Sequence, residues 1–182
     1  MSKKALVVLA EGFEEIEAIT TIDILRRAGI DVTVAGLNDI NINGSHGIKV
    51  TADRKLDAAG FDFDACIFPG GMPGATNLAS SEKVKCLIQK MDQDKKLIAA
   101  ICASPAIVLA PTGVLNNKSA TCYPGMQENF GNEIRYKEDN VVMDENIITS
   151  RGPATALSFS LAIVERLTGK GAADKLRKAT LA

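Results

Sequence analysis

Short, continuous apolar runs recur along the first half of the chain, separated by segments with helical periodicity. Each run has the length of a buried strand and lacks the strict alternation of a half-exposed one. The runs are residues 4–10, 31–37, 64–68 and 97–101. Strands that alternate with helices in this way predict parallel pairing through right-handed crossovers.

Three longer segments have the apolar spacing of amphipathic helices. One helix is predicted over residues 14–28 and another over 81–92, the second capped by Ser80 or Ser81. Pro153 opens the strongest helix and Gly169 ends it. The positions predicted to face inward are Ile16, Ile19, Ile22 and Leu25 in the first helix, Val84, Leu87, Ile88 and Met91 in the second, and Leu157, Leu161, Val164 and Leu167 in the third.

The remaining segments are predicted to be turns and short extended pieces. They are a hairpin turn at Asn43-Gly44, a strand over 118–123, extended pieces within 134–143 and 146–150, and a last helix within 172–179. No linker or repeat divides the chain. Residues 1–182 are therefore predicted to form one α/β domain, a mostly parallel sheet with helices on both faces.

Composition excludes several classes of partner. The 21 basic and 22 acidic residues give a net charge of -1 without a basic run, so neither nucleic acid nor an anionic membrane is an expected partner. The first apolar run is too short for a signal peptide, and no segment has the roughly 20 apolar residues of a membrane span. Four cysteines without a CxxC pair, and a single histidine, predict no metal site and reduced thiols in the cytoplasm.

Residues 95–110 join the last of the four runs to a helix-forming segment through a sharp turn at Cys102. Pro105 suits the first turn of a helix, where its missing N–H costs nothing. Such a strand-turn-helix element, a nucleophile elbow, requires small neighbours, and Ala100 and Ser104 meet that condition. The helix N-terminus is expected to lower the thiol pKa. A buried cysteine acting as a small hydrophobic residue is the alternative, and spacing alone does not separate the two.

Two further features lie at the carboxyl ends of predicted strands, where sites form in parallel sheets. Gly70 and Gly71 follow the run 64–68, and an amide there, with that of Ala103, would form an oxyanion hole; a plain turn is the alternative. Glu17 lies one turn into the first helix. Its position beside the apolar stripe favours an exposed, solvated carboxylate.

Four segments at their observed separations give the chain a family resemblance. They are Glu14-Glu15-Ile16-Glu17-Ala18, Pro69-Gly70-Gly71, Ala99-Ala100-Ile101-Cys102-Ala103 and Thr149-Ser150-Arg151-Gly152-Pro153. Together they resemble the ThiJ/PfpI superfamily, in the branch of the parkinsonism-associated protein deglycase. The resemblance covers nearly the whole chain in order, which makes the set specific although each motif is weak.

The resemblance implies a flavodoxin-like three-layer sandwich that forms homodimers and needs no cofactor. It implies that Cys102 is an oxidisable nucleophile, that Glu17 contacts it, and that the amides of Gly71 and Ala103 cradle its oxidised or oxyanion form. The activities implied are conversion of methylglyoxal to lactate, deglycation of adducts, chaperone activity and oxidative-stress sensing.

The chain departs from the family pattern at two positions. Tyr123 stands where eukaryotic deglycases have histidine, and tyrosine is a poor base near neutral pH, so glyoxalase activity is expected to be weak. Ala103 stands where the protease branch has histidine, which argues against a peptidase. His46 takes the place of an arginine near the site, as an anion ligand or as a solvated loop residue.

The other cysteines have simpler predicted roles. Cys122 is either a packed residue or a resolving thiol for Cys102, and Cys66 and Cys86 are predicted core residues.

Two functions stay open. One is an enzyme of small reactive carbonyls that uses Cys102 and Glu17, and the other is a non-catalytic redox sensor or chaperone switched by oxidation of Cys102.

Overall fold

The computed structural model describes residues 2–182. The strands are β1 (Lys4–Leu9), β2 (Asp31–Gly36), β3 (Asn41–Asn43), β4 (Lys49–Thr51), β5 (Arg54–Lys55), β6 (Ala65–Phe68), β7 (Leu97–Ile101), β8 (Ser119–Ala120), β9 (Arg135–Tyr136), β10 (Val141–Asp144) and β11 (Ile147–Ser150). The α-helices are α1 (Glu15–Arg27), α2 (Gly74–Ala79), α3 (Glu82–Gln93), α4 (Ala156–Thr168) and α5 (Lys170–Thr180).

Seven strands form the central sheet in the order β10-β11-β7-β6-β1-β2-β5. All neighbours pair in parallel except β10, which runs antiparallel to β11. The chain steps from β1 to β2, returns to β6 on the other side of β1, and then steps away to β7 and β11. The carboxyl ends of β1 and β6 thus flank the topological switch point, where a crevice opens in sheets of this kind.

Helices cover both faces of the sheet. Because the β1-to-β2 and β6-to-β7 crossovers run in opposite directions, right-handed connections place α1 and α3 on opposite faces. Helix α4 packs beside α1, where Ser160 Oγ donates a hydrogen bond to Thr21 Oγ1 at 3.1 Å, and α5 packs on α4. The predicted three-layer, flavodoxin-like α/β sandwich is confirmed.

The four apolar runs all form strands of the sheet, and β6, β7 and β11 are buried along their whole length. Helix α3 buries the four side chains predicted for it. Ser81 occupies its N-cap position, but the side chain makes no capping hydrogen bond. Within residues 2–182, every helix is too short or too polar to cross a bilayer.

The predicted orientation of α1 is wrong in its first two turns. Ile16 and Ile19 are 55% and 42% exposed, whereas Glu17 and Thr21 are fully buried. The helix is rotated because its polar side chains find partners inside: Thr21 Oγ1 donates to the Glu17 carbonyl, and the Glu17 carboxylate is bound by a loop from β6. The spacing of hydrophobic residues along the sequence does not predict hydrogen-bond partners of this kind.

The second half of the chain is less regular than predicted. The strand expected over 118–123 is only the two-residue β8, and α2 was not predicted. The segment after Cys102 is one π-helical turn, Pro105–Leu109, followed by a 3-10 turn, Ala110–Thr112, in place of an α-helix. The hairpin at Asn43-Gly44 does form, between β3 and β4, and its loop extends to Ile48.

Candidate active site

Cys102 lies immediately after β7, with a φ of 65°. Left-handed backbone at a non-glycine residue costs about 1–3 kcal/mol and persists where the surroundings hold it. Two backbone hydrogen bonds hold it here: Cys102 N–H donates to the Ser150 carbonyl at 3.0 Å, and Tyr123 N–H donates to the Cys102 carbonyl at 2.8 Å. Ser104 Oγ donates to the Pro69 carbonyl at 2.6 Å and ties the turn to the neighbouring loop. The predicted strained turn is therefore present.

Positions 70 and 71 both require glycine, but for different reasons. A Cβ on Gly70 would lie 2.6 Å from Cys102 Cβ and 3.0 Å from Glu17 Oε2. Gly71 has a φ of 89°, and a Cβ there would collide with the backbone of Gly12 and Glu14. The absence of side chains brings this loop against the cysteine, so the plain-turn interpretation does not describe the pair.

Glu17 is fully buried, contrary to the solvated carboxylate that its sequence position favours. Its Oε2 accepts a hydrogen bond from Gly70 N–H at 2.8 Å, and its own N–H donates to Glu14 Oε2 at 2.7 Å, which caps α1. Its Oε1 has no hydrogen-bond partner among residues 2–182. The carboxyl group lies against the Cys102 thiol, and each group shifts the pKa of the other.

The two groups cannot both be charged at neutral pH. Burial raises the pKa of Glu17 to about 7, against the lowering effect of the Gly70 amide and the Cys102 thiol. Burial, followed by the charge of the neighbouring Glu17 carboxyl group, raises the pKa of Cys102 to about 12, and this outweighs the lowering by the Gly71 and Ala103 amides. The expectation of a lowered Cys102 pKa is thus wrong for the resting pair. The helix expected to lower it is a single short turn.

Glu15 lies two residues before Glu17 and holds a different segment, the β3–β4 loop. Its carboxylate accepts hydrogen bonds from His46 N–H at 2.7 Å, His46 Nδ1 at 2.8 Å and Ser45 Oγ at 3.2 Å. These bonds outweigh the cost of burial and lower the pKa of Glu15 to about 2, while the same contact raises the pKa of His46. The result is a hydrogen-bonded carboxylate–imidazole pair at the N-terminus of α1.

A cavity of about 320 Å³ opens in front of Cys102. Its lining residues are Glu14, Ser45, His46, Gly71, Met72, Cys102, Ala103, Tyr123, Met126 and Pro153. Cys102 itself is 8% exposed, so the sulfur is at the edge of the protein interior and the fully buried Glu17 lies behind it. The wall of the cavity is mostly apolar, which suits a small molecule with few polar groups.

One group of side chains in the described part of the chain has the spacing of a metal site. Ligand atoms of Glu14, Glu15 and His46 lie within 4.8 Å of one another. Glu15, however, already accepts hydrogen bonds from the loop on both oxygens, and Glu14 accepts one from Glu17. We therefore interpret the group as a carboxylate–imidazole pair and a helix cap.

The predicted site residues Cys102, Gly71, Ala103 and Tyr123 meet at this cavity, and His46 joins them from the β3–β4 loop. The hydrogen bonds of Glu15 to that loop were not predicted, although two acids before a helix are a signal for a capping or docking role.

The other three cysteines lie outside the cavity lining. Cys122 and Cys66 are buried, and burial raises both pKa values, that of Cys122 to about 11. Cys86 is exposed on α3, so its assignment to the core is wrong. A helix with four larger apolar residues facing inward leaves its cysteine outside.

Comparisons with known proteins show the family to which the fold and the sequence correspond. The model of the DJ-1/PfpI family matches residues 3–166. Protein dj-1beta of Drosophila melanogaster is 45% identical over 184 residues, which cover 100% of this chain and 98% of that protein. Its crystal structure superposes with a TM-score of 0.96 at 45% identity, covering 100% of this chain and 99% of the other.

Of two other relatives, one is named as an enzyme and the other is much longer than this chain. Glutathione-independent glyoxalase DJR-1.2 of Caenorhabditis elegans is 36% identical over 178 residues, covering 97% of this chain and 95% of that protein. Protein DJ-1 homolog B of Arabidopsis thaliana is 42% identical over 171 residues, which cover 93% of this chain but 39% of that protein's length.

Proposed function

Because the chain belongs to the DJ-1/PfpI family, we propose that it converts small 2-oxoaldehydes such as methylglyoxal to hydroxy acids through Cys102 and Glu17. The observation that carries this proposal is the buried carboxyl group of Glu17, with one unpartnered oxygen, against a cysteine held in left-handed backbone at a cavity. A relative of similar length is named a glutathione-independent glyoxalase, which supports the same substrate class.

In the first step the Cys102 sulfur attacks the aldehyde carbon. A carbon–sulfur bond forms, and the electron pair of the carbonyl moves to its oxygen, which is protonated to give a hemithioacetal. Because the pKa of the thiol is raised, the sulfur is protonated at rest; Glu17 takes this proton as the carbon–sulfur bond forms and passes it to the new alkoxide oxygen, which leaves Glu17 ready to accept a proton in the next step. The amides of Gly71 and Ala103, directed at the sulfur, are suited to stabilise the developing oxyanion.

In the second step the hemithioacetal becomes a thioester. A proton leaves the former aldehyde carbon and another is added to the neighbouring carbon, whose oxygen becomes a hydroxyl group. A carboxyl group with a pKa of about 7 is suited to carry this proton at neutral pH, because it both accepts and donates readily there. Water then cleaves the thioester to release the hydroxy acid and the free thiol. The sequence is an isomerisation followed by hydrolysis, so it consumes no redox cofactor.

The same geometry supports a second candidate function, oxidation of Cys102 as a redox signal. Two molecules of peroxide would convert the thiol to a sulfinate with release of two molecules of water. The sulfinate would accept hydrogen bonds from the Gly71 and Ala103 amides and from a protonated Glu17. We expect graded peroxide to oxidise Cys102 before Cys66, Cys86 and Cys122, as read by peptide mass spectrometry. Oxidation of Cys86 first would remove this candidate.

We also propose that the protein is a homodimer that associates through the N-terminal half of α1. The support is three exposed isoleucines: Ile16 and Ile19 lie three residues apart on α1, and Ile48 belongs to the loop whose N–H groups bind Glu15 of the same helix. A monomer gains little from exposing such side chains together. Ile19→Glu is expected to convert the dimer to a monomer in analytical ultracentrifugation. Ile40→Glu, at an exposed isoleucine elsewhere, should leave the dimer intact, and a monomeric wild type would contradict the proposal.

The proposed activity is tested by lactate formation from methylglyoxal. The wild type should form lactate without glutathione, and Cys102→Ser should form none above the uncatalysed rate. Cys86→Ser is the matched control, since that thiol is exposed and distant from the cavity lining. Equal activity of wild type and Cys102→Ser would exclude the enzyme and leave the redox candidate.

A further inference from the structure

His46, the only histidine of the chain, lines the cavity that contains Cys102. It comes from the β3–β4 loop, which is distant from β7 in sequence, and its side chain is 72% exposed. The loop is fixed to the rest of the protein on both sides of His46: Ser45 N–H donates to the Phe13 carbonyl at 2.8 Å, and Ile48 N–H donates to Glu15 Oε1 at 3.4 Å. Gly44 N–H closes the loop on itself by donating to the Ile48 carbonyl at 2.9 Å. The imidazole is therefore held at the cavity by an ordered segment.

The imidazole is oriented as well as positioned. Its Nδ1 is 2.8 Å from Glu15 Oε2, and its backbone N–H is bound by the other oxygen of the same carboxylate. A carboxylate on one ring nitrogen sets the orientation and tautomer of a histidine and stabilises its cation. Nε2 makes no hydrogen bond within residues 2–182, so this nitrogen is free to exchange a proton with a molecule in the cavity.

The proposed reaction needs a second group that exchanges protons. When Glu17 removes the proton of the former aldehyde carbon, negative charge develops on the oxygen of the neighbouring ketone carbon. Glu17 is occupied at that moment, and the hydroxyl group of Tyr123 is a poor proton donor near neutral pH compared with an imidazolium. Glu14 lines the same cavity, but its carboxyl group accepts the Glu17 N–H as the cap of α1, which leaves it a poor candidate for donating a proton there.

We propose that His46, held by Glu15, is the second proton carrier of the cavity and that it acts on the ketone oxygen of a 2-oxoaldehyde bound to Cys102. This inference rests on the proposed carbonyl chemistry. Nε2 gives its proton to that oxygen as Glu17 removes the carbon-bound proton, which yields an enediol. The enediol then receives a proton from Glu17 at the second carbon, and its first hydroxyl group returns a proton to Nε2 as the thioester forms. His46 thus returns to its initial protonation state.

The substrate class follows from this arrangement. Glu17 moves protons on two adjacent carbons and His46 on their two oxygens, so the cavity suits a carbonyl compound with a second oxygen on the neighbouring carbon. A simple aldehyde would form the hemithioacetal and proceed no further. The buried negative charge of Glu15 and the nearby Glu14 also disfavour anionic substrates, since only His46 opposes them in the cavity lining. A neutral 2-oxoaldehyde is the expected substrate.

The test compares wild type with His46→Gln and His46→Arg in lactate formation from methylglyoxal. Glutamine keeps a polar side chain without proton transfer, and arginine keeps the positive charge but does not release a proton. Both variants should lose on the order of 10²-fold in kcat/KM, and added imidazole should restore part of the activity of His46→Gln only. The adduct on Cys102 should accumulate in both variants, as measured by mass spectrometry of the intact protein.

Carbamidomethylation of Cys102 by iodoacetamide is the control for the cavity, because it needs no proton transfer to a carbonyl oxygen. Its rate should be unchanged in both variants. A loss below tenfold in His46→Gln, or activity near that of wild type in His46→Arg, would overturn the proton-carrier role. A failure of the proposed function itself gives a different result. In that case wild type forms no more lactate than Cys102→Ser, whichever residue occupies position 46.

Discussion

Glu15 and Glu17 lie two residues apart in the first turn of α1, and both side chains are buried, yet their pKa values move in opposite directions. That of Glu15 is lowered to about 2 and that of Glu17 is raised to about 7. Burial raises the pKa of both. The difference is in the partners: Glu15 receives several hydrogen bonds from one loop, whereas Glu17 receives one from Gly70 and leaves its other oxygen beside a thiol.

The comparison shows that one helix turn can supply both a permanent anion and a proton carrier. A buried carboxylate that accepts hydrogen bonds from several N–H and O–H groups stays ionised. A buried carboxyl group with few hydrogen-bond donors around it holds a proton near neutral pH. Glu15 is thus held as an anion that binds a loop, whereas Glu17 has the pKa that the proposed proton transfers require. Each of the following substitutions tests one side of this contrast.

The largest expected effect is on activity. Glu17→Gln should lower kcat/KM for methylglyoxal by about 10²–10⁴-fold, because glutamine accepts the Gly70 hydrogen bond but carries no proton. Lactate formation measures it, with Glu165→Gln, an exposed change on α4, as the control. Unchanged kcat/KM would mean that Glu17 is a structural residue like Glu15.

The next effect is on stability. Glu15→Gln should lower the free energy of unfolding at pH 7 by roughly 2–3 kcal/mol, because the folded state favours the ionised carboxylate. A carboxyl group with a lowered pKa stabilises the fold above its ordinary pKa of 4.5, and this stability is lost as the pH falls toward 2. Urea denaturation at pH 7 and pH 3 should therefore show a smaller difference between variant and wild type at the lower pH.

His46 adds a stabilising contribution with the opposite pH dependence, which is present below pH 6.5 and lost as the pH rises through its raised pKa in the folded state. Glu128→Gln, in an exposed 3-10 turn, is the control for the Glu15 substitution. A constant difference between pH 7 and pH 3 would contradict the lowered pKa of Glu15.

Glu17→Gln should have the reverse effect on stability. Because the pKa of Glu17 is raised from 4.5 to about 7, wild type loses stability relative to the variant as the pH rises between these values. At pH 8 the variant should be more stable than wild type by roughly 1–2 kcal/mol, and at pH 4 the two should be nearly equal. Thermal and urea unfolding at both pH values measure this, and a variant less stable at pH 8 than at pH 4, relative to wild type, would refute it.

The smallest expected effect is at the rim of the cavity. Tyr123→His should raise kcat/KM for methylglyoxal by roughly tenfold, less than a full acid–base contribution, because in the proposed mechanism Glu17 and His46 already exchange protons with the substrate. Tyr123→Phe is the control and should change activity little. No gain from histidine would indicate that the two existing carriers suffice.

Local patterns in the sequence determined much of the fold and part of the site. Continuous apolar runs predicted the buried strands, since a strand covered on both faces must be apolar on both. The small residues Ala100 and Ser104 around Cys102 predicted a strained turn, because a tight strand-to-turn junction leaves no room for larger side chains. Both are properties of neighbouring residues, and the structure agrees with them.

Only the tertiary structure decided the orientation of α1 and the ionisation of the site. Glu17 is buried, and Ile16 exposed, because the Gly70 amide that binds Glu17 comes from a residue 53 positions away. His46 reaches the cavity because Glu15, 31 positions earlier, binds its loop. The raised pKa of Cys102 likewise follows from burial beside Glu17. Hydrogen bonds and desolvation depend on which groups are in contact in the folded protein, and the spacing of hydrophobic residues along the chain does not predict those contacts.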